Sequence, residues 1–107
     1  MSEARTLYKA AIDHFAHGRT DEAIEAHRKA IALDPELAMA WNGLAMALAK
    51  RGDLDAAIDA ARRCVALEPE EPLAHTSLSM LYQRAGRIPE AEEEKSLSMR
   101  LQMKQGR

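Results

Sequence analysis

The feature that most constrains the fold of this 107-residue chain is a repeat of 34 residues. Gly18, Gly52 and Gly86 are separated by that interval, and the residue types around them return in register. Small residues recur twice in each unit, at Ala11, Ala45 and Ser79 and then at Ala23, Ala57 and Ala91. This period and pattern are typical of helical repeat arrays, in which each unit buries its apolar face against its neighbours. We therefore expect stacked helix pairs that form an extended concave surface rather than a catalytic pocket.

The period predicts three units, at about residues 4–37, 38–71 and 72–105, within a single domain over residues 1–107. Each unit is expected to contain two helices joined at its glycine, because Gly commonly ends a helix in the left-handed conformation. Pro69 should stop a second helix, since proline cannot continue one. The predicted fold is all-α, an array of three antiparallel helix pairs.

The composition excludes several classes of function. The net charge of −2 gives no reason to expect a strongly basic face, so we expect no binding of nucleic acid. No apolar run approaches the roughly 20 residues of a membrane span, and the first residues lead directly into repeat material, so neither a span nor a signal peptide is expected. The single cysteine, Cys64, excludes an internal disulfide and fits a reducing compartment. These features predict a soluble, cytoplasmic protein.

The second unit resembles the tetratricopeptide repeat, whose pattern sets Trp, Leu, Gly, Tyr, Gly, Ala, Phe, Ala and Pro at fixed places over 34 positions. The corresponding residues are Trp41, Leu44, Ala45, Leu48, Gly52, Ala57, Ala61, Cys64 and Pro69. The first and third units follow the pattern in the same register. The resemblance covers almost the whole chain and implies a right-handed superhelix that acts as a protein-binding adaptor or scaffold. It does not identify the partner, because this architecture serves many.

In this family the first helix of each pair lines the concave groove, so the resemblance implies which residues form it. We take as the partner-binding groove Arg5, Tyr8, Ile12, Phe15, Met39, Asn42, Met46, Leu73, Thr76, Met80 and Gln83, and Ala49 also falls at such a position. Many members that bind extended peptides have Asn where this chain has Ile12, Met46 and Met80, so a ladder of hydrogen bonds to a ligand backbone is missing. The groove is predicted to bind an apolar helix face or hydrophobic segment, to which flexible methionines adapt.

Ile12, Met46 and Met80 have a second interpretation. Apolar side chains at helical spacing are often core, so these three could be buried between neighbouring units. Solvent exposure distinguishes the two interpretations.

A chaperone partner is not expected. Family members that bind the acidic C-terminal tails of chaperones use five polar or basic groove residues. The matching positions here are Tyr8, Ile12, Gly43, Leu73 and Ser77. None of these side chains pairs with a carboxylate as Lys or Arg would.

The end of the array has mixed properties. Glu92 stands where the earlier units have Ile24 and Ile58, so the charged run 90–95 is predicted to be a solvated cap. Apolar residues nevertheless remain in the last helix, at Leu97, Met99, Leu101 and Met103. Self-association through this end stays open, and the alternative function is a self-assembling structural protein that associates end to end or end in groove.

No catalytic constellation is evident. Asp13, His14 and His17 form the only cluster with ligand-like spacing, but a zinc site needs three or four converging ligands. We therefore expect no metal, no cofactor and no enzymatic activity. His27 and His75 are expected to fill space at positions of large side chains, and Cys64 to be a buried, inert thiol. The sequence names neither the partner nor the pathway nor the oligomeric state.

Overall fold

The computed structural model describes residues 2–106, which contain six α-helices and no strand. The helices are α1 (Glu3–Ala16), α2 (Thr20–Leu33), α3 (Ala38–Arg51), α4 (Leu54–Leu67), α5 (Pro72–Arg84) and α6 (Ile88–Gln105). The predicted all-α fold is confirmed, and the six helices agree with three tandem repeats.

The repeated glycines form the turn inside each helix pair. Gly18, Gly52 and Gly86 have φ angles of 76°, 94° and 80°, in the left-handed region where a Cβ atom is unfavourable. Beside each one, a backbone N–H donates to a carbonyl five residues earlier: Arg19 to His14, Asp53 to Leu48 and Arg87 to Tyr82, at 2.9, 2.9 and 2.8 Å. This bond satisfies a carbonyl at the end of the first helix and directs the chain into the second.

Small residues let the two helices of a pair approach closely. Ala11 and Ala23 in the first pair, and Ala45 and Ala57 in the second, are completely buried. In the third pair Ser79 replaces the first alanine. Its buried hydroxyl donates to the Ala91 carbonyl at 2.7 Å, so the substitution leaves no unsatisfied polar group.

The curvature of the array follows from which helices touch. Each helix packs on its neighbours in the chain, and in addition α1 contacts α3 and α3 contacts α5. Within residues 2–106 no second helix contacts another second helix. The first helices are therefore closer together and form the inner, concave side, as the family resemblance implies.

The last repeat differs from the prediction at one acidic residue. Glu92 and Lys95 are exposed, as expected for a solvated cap. Glu94 is not solvated, because its side chain is only 17% exposed and its Oε1 lies 2.6 Å from Nδ1 of His75. Ala26 and Ala60 occupy the equivalent positions in the first two units, so Glu94 faces the interior of its helix pair. No helix within residues 2–106 is both long and apolar enough to cross a membrane.

Candidate functional site: the concave groove

The predicted groove residues lie on the three inner helices, with different exposure. Arg5, Ile12, Met39, Leu73, Met80 and Gln83 are exposed, whereas Tyr8, Phe15, Asn42, Met46 and Thr76 are half-buried. Ile12 and Met80 are 43% and 52% exposed, so the interpretation of these two as core is wrong. Met46 packs partly against the core. Ala49 is buried and does not line the groove, and its carbonyl accepts a hydrogen bond from Arg84 Nη2 at 3.2 Å.

A pocket of about 190 Å³ opens between α1, α2 and α3, and we term it the anchor pocket. Its lining consists of Tyr8, Ile12, Phe15, His27, Met39, Asn42, Gly43 and Met46. Six of these belong to the predicted groove. A buried cavity of about 150 Å³ is large enough to bind benzene, so the anchor pocket has room for one large apolar side chain.

His27 forms part of the wall of the anchor pocket and is 1% exposed. Its ring lies 5.7 Å from that of Tyr8, and it fills the space that a Cβ atom on Gly43 would occupy. Burial lowers the pKa of His27 to about 4, so the ring is neutral at pH 7. Sequence reasoning treated this residue as a space filler. The sequence feature that could have indicated its close packing against α3 is Gly43, since the next unit has Ser77 at the equivalent position.

Two buried polar atoms in this region lack a hydrogen-bond partner among residues 2–106. They are Nδ1 of His27 and Oδ1 of Asn42, and both residues line the anchor pocket. An unpaired polar atom in a protein interior carries a desolvation penalty of about 1–3 kcal/mol. The lining of the anchor pocket is therefore mostly apolar, and two of its residues carry a buried polar atom with this penalty.

A second pocket, of about 420 Å³, continues the groove towards the N-terminal ends of α3 and α5, and we term it the acidic pocket. It is lined by Arg5, Glu36, Leu37, Ala38, Met39, Asn42, Cys64, Glu68, Glu71, Leu73 and Ala74. Met39 and Asn42 line both pockets, so the two are continuous. Sequence reasoning missed the three glutamates, because the family pattern was applied to helix positions and these residues lie in the loops before α3 and α5.

Cys64 lies at the buried side of the acidic pocket. Burial, and then the negative charges of Glu68 and Glu71, raise the pKa of its thiol to about 11. The thiolate is the nucleophilic form, and a raised pKa disfavours it at neutral pH. The prediction that Cys64 is buried is confirmed, and its inertness stays a prediction.

The rest of the predicted groove lies in a separate pocket between α5 and α6. This pocket, of about 320 Å³, is lined by Thr76, Ser79, Met80, Gln83, Lys95, Ser98, Met99 and Gln102. The hydroxyls of Thr76 and Ser98 lie 2.7 Å apart, and that of Ser98 donates to the Pro72 carbonyl at 3.1 Å. The structure therefore divides the predicted site, with Thr76, Met80 and Gln83 away from the anchor pocket.

His75 has a structural role in the third repeat. His75 Nε2 lies 2.8 Å from the carbonyl of Pro69, which repeats the bond of Trp41 Nε1 to Pro35 in the preceding unit. Burial tends to lower the pKa of His75, but the bonds to Glu94 and to the Pro69 carbonyl raise it overall.

The cluster of Asp13, His14 and His17 lies at the C-terminal end of α1, where Asp13 and His17 are exposed. Nδ1 of His17 is 2.8 Å from the Asp13 carbonyl, and Arg19 Nε donates to His14 Nδ1 at 3.0 Å. Within residues 2–106, no group of three or more His, Cys, Asp or Glu side chains is placed to hold a metal ion.

Comparison with known proteins places these features in a wider context. A tetratricopeptide repeat family model matches residues 8–72, and a second model with the same description matches residues 72–94. A search of curated proteins finds no sequence match.

Solved structures include several of the same fold. The crystal structure of MamA superposes with a TM-score of 0.92 at 25% identity, and covers 96% of this chain. This chain spans only 60% of the MamA chain. The second tetratricopeptide domain of RPAP3, solved with the HSP90 peptide SRMEEVD, has a TM-score of 0.89 at 21% identity and covers 94% of this chain and 93% of its own. The translocator chaperone SycD of Yersinia enterocolitica has a TM-score of 0.90 at 21% identity, with 98% and 80% covered.

Proposed function

Since this chain belongs to the tetratricopeptide repeat family, whose fold serves protein interaction, we propose that it is an adaptor that binds an apolar helix or hydrophobic peptide segment in its concave groove. The observation that carries this proposal is the anchor pocket. Six residues that the family pattern assigns to the groove line one pocket of about 190 Å³, and two of them, Ile12 and Met39, are more than 40% exposed. Exposed apolar side chains beside a pocket of side-chain size are typical of the anchor sites of interfaces.

The similar solved structures support a protein-binding role in general. They do not identify the ligand, so its chemical class is inferred from this chain's own residues. The RPAP3 domain is bound to an acidic chaperone peptide. At 21% identity that likeness concerns the fold, and this chain has Tyr8, Ile12, Gly43, Leu73 and Ser77 at the clamp positions. The proposed ligand is therefore an apolar segment and not an acidic tail. No catalytic role is proposed, and the cytoplasmic location expected from the sequence stays a prediction.

Self-assembly is the second candidate function. Met99 and Met103 on α6 are 53% and 76% exposed at the end of the array, where a further repeat would pack. End-to-end stacking would bury them. A molar mass that rises with concentration in sedimentation equilibrium, and that Met99→Glu/Met103→Glu returns to the monomer value, would favour this function.

The adaptor function is tested by affinity capture from a lysate of the source cell with three baits. The first is the native chain. The second is Ile12→Glu/Met80→Glu, which places two charges in the groove at exposed positions. The matched control is Leu33→Glu/Ile88→Glu, because these two residues are 54% and 48% exposed and do not line the groove pockets.

Circular dichroism first establishes that all three baits are equally folded. We expect specific proteins to be retained by the native chain and by the control and lost from the groove variant. Each retained protein is then purified and its affinity for the three baits is measured by calorimetry. Equal binding by all three would disprove the groove as the binding site.

A further inference from the structure

The charged residues of the acidic pocket indicate a property of the ligand that the apolar residues of the groove do not. Its charged lining consists of three carboxylates, from Glu36, Glu68 and Glu71, and one guanidinium, from Arg5. All four side chains are exposed. Within residues 2–106, none of the three carboxylates forms an ion pair with a Lys, Arg or His side chain. Among residues 2–106, the lining of this end of the groove therefore carries more negative than positive charge.

Helix stability does not account for all of this charge. Glu71 has a structural role, since its Oε2 accepts the N–H of Leu73 at 3.3 Å and caps α5. Glu68 follows the last residue of α4, where a negative charge opposes the helix dipole. The equivalent residue of the first unit, Asp34, is used in its own turn, because its Oδ1 accepts the N–H of Glu36 at 3.2 Å. Between residues 2 and 106, no comparable hydrogen bond to the Glu68 carboxylate is present.

The exposed polar groups of the acidic pocket are mostly hydrogen-bond acceptors, since three of its four charged side chains are carboxylates, whose oxygens only accept. Lysine and arginine side chains are donors only, so a basic residue complements this set in both charge and hydrogen bonding.

From this complementarity we infer that the ligand of the groove is a segment of another protein that is apolar and basic at once. One large apolar side chain enters the anchor pocket, and Lys or Arg side chains lie against Glu36, Glu68 and Glu71. The stems of such residues are aliphatic and pack on the exposed side chains of Met39 and Leu73, while their charged ends reach the carboxylates. This inference rests on the proposed function, and it reverses the charge that family members with carboxylate clamps recognise.

The test is a selection of random 12-residue peptides displayed on phage against the full native chain. The most enriched peptide is synthesised with a fluorescent label, and its affinity is measured by fluorescence anisotropy. A second version of the peptide has every Lys and Arg replaced by Gln. The protein variants are Glu36→Gln/Glu68→Gln and the control Glu25→Gln/Glu93→Gln, which removes the same charge from exposed positions outside the groove pockets.

We expect the selected peptides to combine large apolar residues with Lys or Arg. The variant Glu36→Gln/Glu68→Gln should weaken binding about 2- to 30-fold, as expected for the loss of two partly exposed ion pairs at 0.2–1 kcal/mol each. The control should bind as the native chain does. The neutral peptide should lose at least this factor with the native chain and less with the variant, because the variant has already lost the interactions at Glu36 and Glu68 and keeps only that at Glu71.

Five results would overturn the inference, and they differ in what they say about the groove. Selection of neutral or acidic apolar peptides, or equal affinity for the glutamine variant, disproves the basic ligand and leaves the adaptor function intact. Selection of no peptide, or of peptides that bind Ile12→Glu/Met80→Glu equally well, removes the proposed function as well. Displacement of the peptide by dimerisation of the chain itself, seen in sedimentation, would make a second copy the occupant.

Discussion

His27 in the first repeat and His75 in the third are 1% and 5% exposed, and their surroundings differ. The Nδ1 atom of His27 has no hydrogen-bond partner in the described part of the chain, whereas both ring nitrogens of His75 are bonded. Burial alone lowers the pKa of His27 to about 4, and the added bonds to Glu94 and Pro69 raise that of His75. Similar burial therefore gives opposite pKa shifts, depending on whether the site supplies hydrogen-bond partners.

The comparison also separates a binding region from a structural one. His75 on α5 contacts Glu94 on α6 within the third helix pair, and both of its ring nitrogens are hydrogen-bonded. His27 lines a pocket, and its Nδ1 has no hydrogen-bond partner within residues 2–106, which carries a cost in stability. The first and third repeats thus hold a buried histidine in two different environments. The residues at the equivalent positions of the second repeat suggest the substitutions that test each environment.

The largest expected effect comes from filling the space that His27 occupies. Gly43→Ser places a side chain against the imidazole ring and should destabilise the protein by about 2–3 kcal/mol through overpacking. At the next interface the equivalent pair is Ala61 and Ser77. His27→Ala/Gly43→Ser reproduces that pair and should recover most of the loss. Urea unfolding followed by circular dichroism measures both.

A cost below about 0.5 kcal/mol for Gly43→Ser alone would show that the ring yields easily, contrary to the close packing described above. A double variant as unstable as the single one would show that the two residues do not interact.

The second effect concerns the His75 and Glu94 pair. Glu94→Ala leaves a buried histidine nitrogen without its partner and should cost about 2 kcal/mol in urea unfolding. The second repeat has Trp41 and Ala60 at these positions. His75→Trp/Glu94→Ala should restore stability, because the indole N–H can bond the Pro69 carbonyl as Trp41 bonds Pro35. Continued instability of this double variant would contradict the equivalence of the two sites.

A smaller effect is expected from pH. The unfolded chain binds a proton at His27 below pH about 6.5 and the folded chain only near its pKa of about 4, so this site should lose about 1 kcal/mol of stability between pH 6.5 and 5.5. The pKa of His75 is raised on folding, so its contribution is present at low pH and is lost as the pH rises through the folded value.

Unfolding at several pH values, with NMR titration of the imidazole protons, tests the pH dependence. His27→Ala/Gly43→Ser should lose the decline on the acid side, and His75→Trp/Glu94→Ala should lose the decline on the alkaline side. If both histidines titrate together near 6.5, the assigned environments are wrong.

The smallest effect is expected at the exposed cluster of Asp13, His14 and His17. Zinc that binds only the folded state would raise the melting temperature, and we expect a shift below about 1 °C. His14→Ala/His17→Ala serves as the control. A larger shift that this variant abolishes would establish a metal site on α1.

Much of the fold could be predicted from the sequence because its determinants are local. The glycines of the 34-residue period adopt the left-handed conformation, Pro69 follows the end of α4, and the paired alanines are buried. The family pattern also assigned six of the eight residues of the anchor pocket. These properties depend on neighbouring residues or on positions at a fixed interval, which a sequence displays directly.

The other half of the candidate site could not be read from the sequence. Glu36 and Glu68 come from loops of successive units, and only the stacking of the units places them around one pocket. Glu94 lies within a charged run that resembles a solvated face. Its orientation towards His75 depends on the packing angle of α5 against α6.

The sequence by itself determined the number of helices and their turns, which follow from backbone conformation and apolar periodicity acting within a few residues. The surface on which a partner is expected came from the family resemblance. Only the tertiary structure decided which polar atoms are paired, in which direction the pKa of each buried histidine shifts and where the groove is acidic. Pairing and charge depend on distances between units, because hydrogen bonds and desolvation act through space and not along the chain.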